Sequence, residues 1–99
     1  MNIHLEDERG NRLQREFDSR NLLLHAVRDA GQESRLLKYV DPYGVTLFNG
    51  VQVDDLIWDL DDLAGGARDQ AALAVLSRVR AFTNEVKMHH HLYIRFVGA

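Results

Sequence analysis

Residues 1–17 alternate between apolar and polar positions. Ile3 and Leu5 fall to one side of an extended chain, His4 and Glu6 to the other. That period predicts a half-buried strand over residues 2–7. Glu8-Arg9-Gly10-Asn11 supplies a turn, because Gly and Asn tolerate positive φ. Residues 12–17 return as a second strand with Leu13 and Phe17 directed to the core. Arg15 shares their side and reads as an edge position whose guanidinium reaches out to water. The period then changes. Leu23, Ala26, Val27 and Ala30 recur at ~100° per residue, flanked by Leu22 and Leu24, which predicts an amphipathic helix over residues 20–30. Asp18 or Ser19 can cap its start and Gly31 its end.

Residues 36–40 and 45–48 are apolar on both parities, as central strands are. Between them lies Asp41-Pro42-Tyr43-Gly44, a strong turn signal. The pair therefore reads as a second hairpin. Leu56, Ile57, Leu60 and Leu63, with Val53 behind them, make a helical stripe from about residue 54 to 63. Ala64-Gly65-Gly66-Ala67 breaks it. Ala72, Val75, Leu76, Val79, Phe82 and Val86 mark a longer helix over residues 69–88. Residues 91–97 alternate again, with Leu92, Ile94 and Phe96 on one side. The order is β-β-α-β-β-α-α-β. It predicts a single α+β domain over residues 1–99, with a mainly antiparallel sheet of about five strands and helices packed mostly on one face.

Composition adds limits. Ninety-nine residues make one domain, and 45% hydrophobic with 27% charged residues suits a globular chain. There is no cysteine, hence no disulfide framework and no thiolate chemistry. No apolar run approaches the ~20 residues of a membrane span. The start of the chain is polar and acidic, unlike a signal peptide. A soluble cytoplasmic protein without a membrane partner is the expectation. The net charge of −3 is unevenly spread. Residues 41–66 hold six aspartates and no Lys or Arg, whereas residues 67–99 carry five basic and two acidic side chains. An acidic chain without a basic cluster is poorly suited to nucleic acid.

The stretch Tyr39-Val40-Asp41-Pro42-Tyr43-Gly44-Val45-Thr46-Leu47-Phe48-Asn49 resembles a family of small bacterial proteins. Those carry a D-P-Y-G-D-T-x-F-N-like core between an apolar strand and a helix. They also end on an aromatic-rich strand similar to Leu92-Tyr93-Ile94-Arg95-Phe96-Val97-Gly98. Val45 stands where the family has an acidic residue. The resemblance supports the fold and implies no activity.

Candidate chemistry centres on the only tryptophan. On a helix whose stripe is centred near Leu60, Trp58 points away from the core. Asp54, Asp55, Asp61 and Asp62, at three and four residues on either side, share its face. An aromatic centre with a polar rim is the anatomy of an interface. The expected partner is a protein with a basic surface, as for immunity or inhibitor proteins, or a second copy of this chain. His89-His90-His91 invites a metal reading, but in a strand only two of the three share a face, and zinc needs three or four ligands. No metal or cofactor is expected. Ser19, Ser34 and Ser77 lack nucleophile-elbow glycines, and no loop matches a phosphate cradle, so an enzyme is not expected. The alternatives to the binding module are a structural homo-oligomer and a small-ligand binder.

Overall fold

The structure, a computed structural model, describes residues 1–30 and 33–98. The helix stop expected at Gly31 lies outside the described residues, as does the side chain of Ala30. The strands are β1 Asn2–Asp7, β2 Arg12–Phe17, β3 Val45–Phe48 and β4 Leu92–Val97. They form one antiparallel sheet in the order β2-β1-β4-β3. The helices are α1 Leu22–Ala30, α2 Val53–Gly66 and α3 Gln70–Met88. Their apolar faces meet Ile3, Leu5, Phe48, Ile94 and Phe96 on one side of the sheet. The α+β class and the one-sided helical layer stand as expected. Among the described residues the strand count is four, not five.

Residues 36–40 are the missing strand. Leu37–Tyr39 form a 3₁₀ turn instead, with the Val40 N–H donating back to the Leu37 carbonyl at 3.1 Å. The cause is a contact distant in sequence. The carboxylate of Asp59 on α2 accepts the backbone N–H groups of Arg35, Leu36 and Leu37 at 2.7, 2.7 and 3.0 Å. Three amides converging on one carboxylate curl the backbone, and an extended strand would separate them. Leu37 and Val40, three residues apart, are the ones that enter the core. There is accordingly no second hairpin, and β3 pairs with β4.

A second expectation is reversed on β2. The register places Glu16 beside Ile3 and Arg15 beside His4. Leu13, Arg15 and Phe17 therefore face away from the helices, and Leu13 and Phe17 are 51% and 57% exposed. Alternation separated the two faces of β2 correctly but not which one the helices cover. Glu16 faces the helix layer and pairs with Arg78 of α3 at 2.6 Å.

Local chemistry sets the remaining boundaries. Asp18 is buried, and its carboxylate accepts from the Leu22 and Leu23 amides at 2.9 and 2.8 Å, so α1 begins two residues later than expected. Asn21 takes a φ of 52° at the junction, a conformation Asn tolerates. The helix α2 runs through Gly65 and Gly66 rather than breaking there. Asp69 caps α3 by accepting from the Ala71 amide at 2.9 Å. In the β1–β2 turn, the Asp7 carboxylate accepts from the amides of Arg9 and Asn11 and from the Asn11 side chain. Those bonds, the Asn11 amide first, hold its pKa below the usual carboxylate value.

The stretch from Asp41 to Gln52 fastens both ends of β3. Asp41 accepts from the Tyr43 amide at 2.9 Å, and the Asp41 amide donates to Thr46 Oγ1 at 2.9 Å. At the other end Asn49 Oδ1 accepts from Val51 and Gln52 while Gln52 Oε1 accepts from the Asn49 amide, a reciprocal cap that leads into α2. Gly98 donates to the Gly44 carbonyl at 2.7 Å. A Cβ at Gly98 would lie 2.8 Å from the Tyr43 nitrogen and closer still to the Pro42 carbonyl, so glycine is required there by close backbone approach. Among the described residues no helix is long and apolar enough to cross a membrane.

Candidate interaction site

The two sides of α2 do different things. Val53, Leu56 and Leu60 enter the core, and Asp59 goes in with them at 1% exposure. A buried carboxylate is costly unless its lone pairs are filled. Here three backbone amides fill them, and these are also the orphan donors at the start of the 3₁₀ turn. Trp58, the preceding residue and about 100° round the helix, is 42% exposed.

Asp59 also positions what lies over that tryptophan. By holding the Arg35 amide it sets the Arg35 side chain across the indole, with the guanidinium carbon 4.2 Å from the ring centroid. Arg35 Nη1 then donates to Asp55 Oδ1 at 2.9 Å. A guanidinium stacked at a partly exposed ring contributes about 0.5–1 kcal/mol, which favours this orientation of the indole.

The four aspartates expected around Trp58 all lie on the outer face, and each is exposed. They do not form an uncompensated ring. Asp54 pairs with Lys87 Nζ and Asp61 with Arg80 Nε, both at 3.0 Å, while Asp55 pairs with Arg35. Asp62 has no ion-pair partner among the described residues. Arg80 and Lys87 of α3 are thus paired within the chain. Asp54 and Asp61 are seven residues apart, and so are Arg80 and Lys87, so the pairs form two rungs between antiparallel helices. The surface at Trp58 is an aromatic–guanidinium pair inside a mixed-charge rim.

Sequence reasoning named Trp58 and its four aspartates but missed Arg35 and Asp59. A signal for Asp59 was present. It falls between Leu56 and Leu60 on the apolar side, where an acid must find buried donors. Nothing local pointed to Arg35, because its place depends on a turn that the sequence pattern misassigned.

Three other polar groupings lie beyond the Trp58–Arg35 pair. On the open face of the sheet, Glu6 is buried at 6% exposure between two bases. Arg95 Nε lies 3.1 and 3.0 Å from its two oxygens, and His4 Nδ1 lies 3.2 Å from Oε2. The cluster ties β1 to β4, the central pair of strands. A cleft of about 840 Å³ lies between α1 and the α2–α3 junction, with Leu22, Ala26, Leu63 and Ala72 on its walls and His25 and Arg68 among its polar groups. The histidine run does not converge: His89 sits by Glu85 at 3.5 Å and His91 by Glu8 at 3.4 Å. Among the described residues no group of three or more His, Asp or Glu is arranged to hold a metal.

No family model, curated protein or solved structure matches this chain.

Proposed function

We propose that the protein is a small binding module, immunity- or inhibitor-like in size and charge, that uses the outer face of α2 to engage a protein with a basic surface. One observation carries the reading. Trp58 stays 42% exposed on a helix whose opposite side enters the core. The Arg35 stack favours one orientation of its ring, which lowers the ordering cost on contact. Trp and Arg are the residue types most enriched at interface hot spots, and a polar rim excludes water around them.

The in-chain ion pairs do not oppose a basic partner. Such exposed pairs contribute roughly 0.2–1 kcal/mol each, so exchanging Lys87 or Arg80 for a partner's cation is nearly neutral. Among the described residues no such pair occupies the Asp62 carboxylate. The six aspartates of residues 41–66 add long-range steering. The reading places the protein in the cytoplasm and gives it no catalytic step, cofactor, nucleic acid or membrane partner.

The test is binding of the intact chain to a partner recovered from its native cell extract. Trp58→Ala is expected to weaken that complex by about 2 kcal/mol, roughly thirtyfold. Raising salt from about 0.1 to 0.5 M is expected to weaken it further, through slower association. An affinity unmoved by both would remove the reading.

A further inference from the structure

The two edges of the sheet are built differently. The outer strand β2, RLQREF, carries Arg12, Arg15 and Glu16, and its register shifts opposite Leu5 and Glu6. Charge and irregularity are the usual guards against edge-to-edge pairing. The other edge, β3, reads VTLF and has neither. No charged residue occurs from Pro42 to Val53. Val45 and Leu47 are 56% and 46% exposed, and Tyr43 and Val51 just beyond the strand are 85% and 93% exposed.

The hydrogen-bond phase of this edge follows from one contact. Gly98 donates to the Gly44 carbonyl, and Gly44 lies opposite Gly98 in the register that pairs Val45 with Val97. Antiparallel ladders alternate bonded and non-bonded pairs. Thr46 and Phe48 therefore bond to β4, while the N–H and C=O groups of Val45 and Leu47 point to the open edge. Nothing among the described residues pairs with them.

We propose that this edge is filled by a second copy of the chain, with β3 antiparallel to its counterpart about a two-fold axis at Thr46. Val45 then exchanges both hydrogen bonds with Leu47 of the second copy, and Leu47 with Val45. The phase permits only this register to satisfy both residues. Centring the axis on Val45 would set Leu47 against Tyr43, whose amide is committed to Asp41. Centring it on Leu47 would set Val45 against Asn49, whose amide is committed to Gln52. An uncharged strand meets itself with no like-charge cost, and no charge on it selects a different partner. The pairing makes one eight-stranded sheet in the order β2-β1-β4-β3-β3-β4-β1-β2. Its outer edges are the two guarded β2 strands, so the assembly closes as a dimer and does not grow.

Sedimentation of the intact chain tests this. A concentration-dependent dimer is expected. Leu47→Lys, or Val45→Lys if the first fails to fold, is expected to weaken it by about tenfold or more, with circular dichroism confirming the fold. Leu13→Lys places the same charge on the same open face at the other edge and is expected to leave the dimer unchanged. In addition, Thr46→Cys in this cysteine-free chain puts the two sulfurs at a non-bonded pair on the axis, where an intermolecular disulfide is expected on oxidation. A monomer at concentrations up to about 1 mM overturns the proposal. So does a dimer that both β3 lysine variants leave intact, or one that Leu13→Lys weakens as much.

Discussion

The outer face of α2 and the open face of the sheet are both left uncovered by the described residues, and they use charge in opposite ways. On the outer face of α2 the carboxylates are exposed and three of them reach to other elements: Asp54 and Asp61 to α3, Asp55 to Arg35 ahead of the 3₁₀ turn. The ion pairs surround an aromatic ring. On the sheet the carboxylate is buried, its partners Arg95 and His4 lie in the sheet itself, and the apolar side chains Leu13, Phe17, Val45 and Leu47 stand at the periphery. A central aromatic with a charged rim suits a discrete contact with another protein. A central salt bridge with apolar flanks suits lateral extension of the sheet. Each surface also rests on one buried acid, Asp59 under α2 and Glu6 on the sheet, and those acids allow the two surfaces to be perturbed separately.

The largest effect is expected at Asp59. Asp59→Ala leaves three backbone amides without their acceptor and should cost about 2–4 kcal/mol in urea unfolding. It should also release Arg35, so quenching of Trp58 fluorescence by acrylamide should rise in the folded variant. Glu6→Ala removes the acceptor from Arg95 and His4 and should cost about 1–3 kcal/mol. The folded baseline of Trp58 emission should stay where it is in the parent chain. A changed baseline would show that the two surfaces are coupled, against the separation drawn above. The smallest effect is expected from Arg35→Ala, below about 1 kcal/mol, because the stack and its ion pair are both half exposed. Acrylamide quenching should nevertheless increase as much as in Asp59→Ala. If it does not, the guanidinium does not shield the ring.

Much of this architecture was legible in the pattern of residues. The stripe from Val75 to Val86 on α3, the β1–β2 turn and the outward direction of Trp58 all follow from spacing alone, because each depends on neighbours within a few residues. The failures have a common origin in contacts between distant segments. Residues 36–40 have strand composition, yet Asp59 gathers their amides into a turn. Leu13 and Phe17 alternate as strand residues should, but alternation cannot say which face of a sheet the helices will cover. At the candidate site the exposed members were readable because exposure follows helix geometry. Arg35, which completes the surface, was not, since it arrives through the misread turn. The aspartates looked like free charge because their partners on α3 lie more than a helix away in sequence.

The two rungs between α2 and α3 have a consequence for alignment rather than strength. Asp54 with Lys87 and Asp61 with Arg80 share one offset, so both close only when the helices sit at a single axial position. A slip of one turn, three or four residues, breaks both together. A slip of seven still loses one. Hydrophobic stripes tolerate such slips more readily, because Val and Leu can substitute for one another in a groove. The paired rungs therefore act together as a weak bias toward one register of the helical hairpin that carries Trp58.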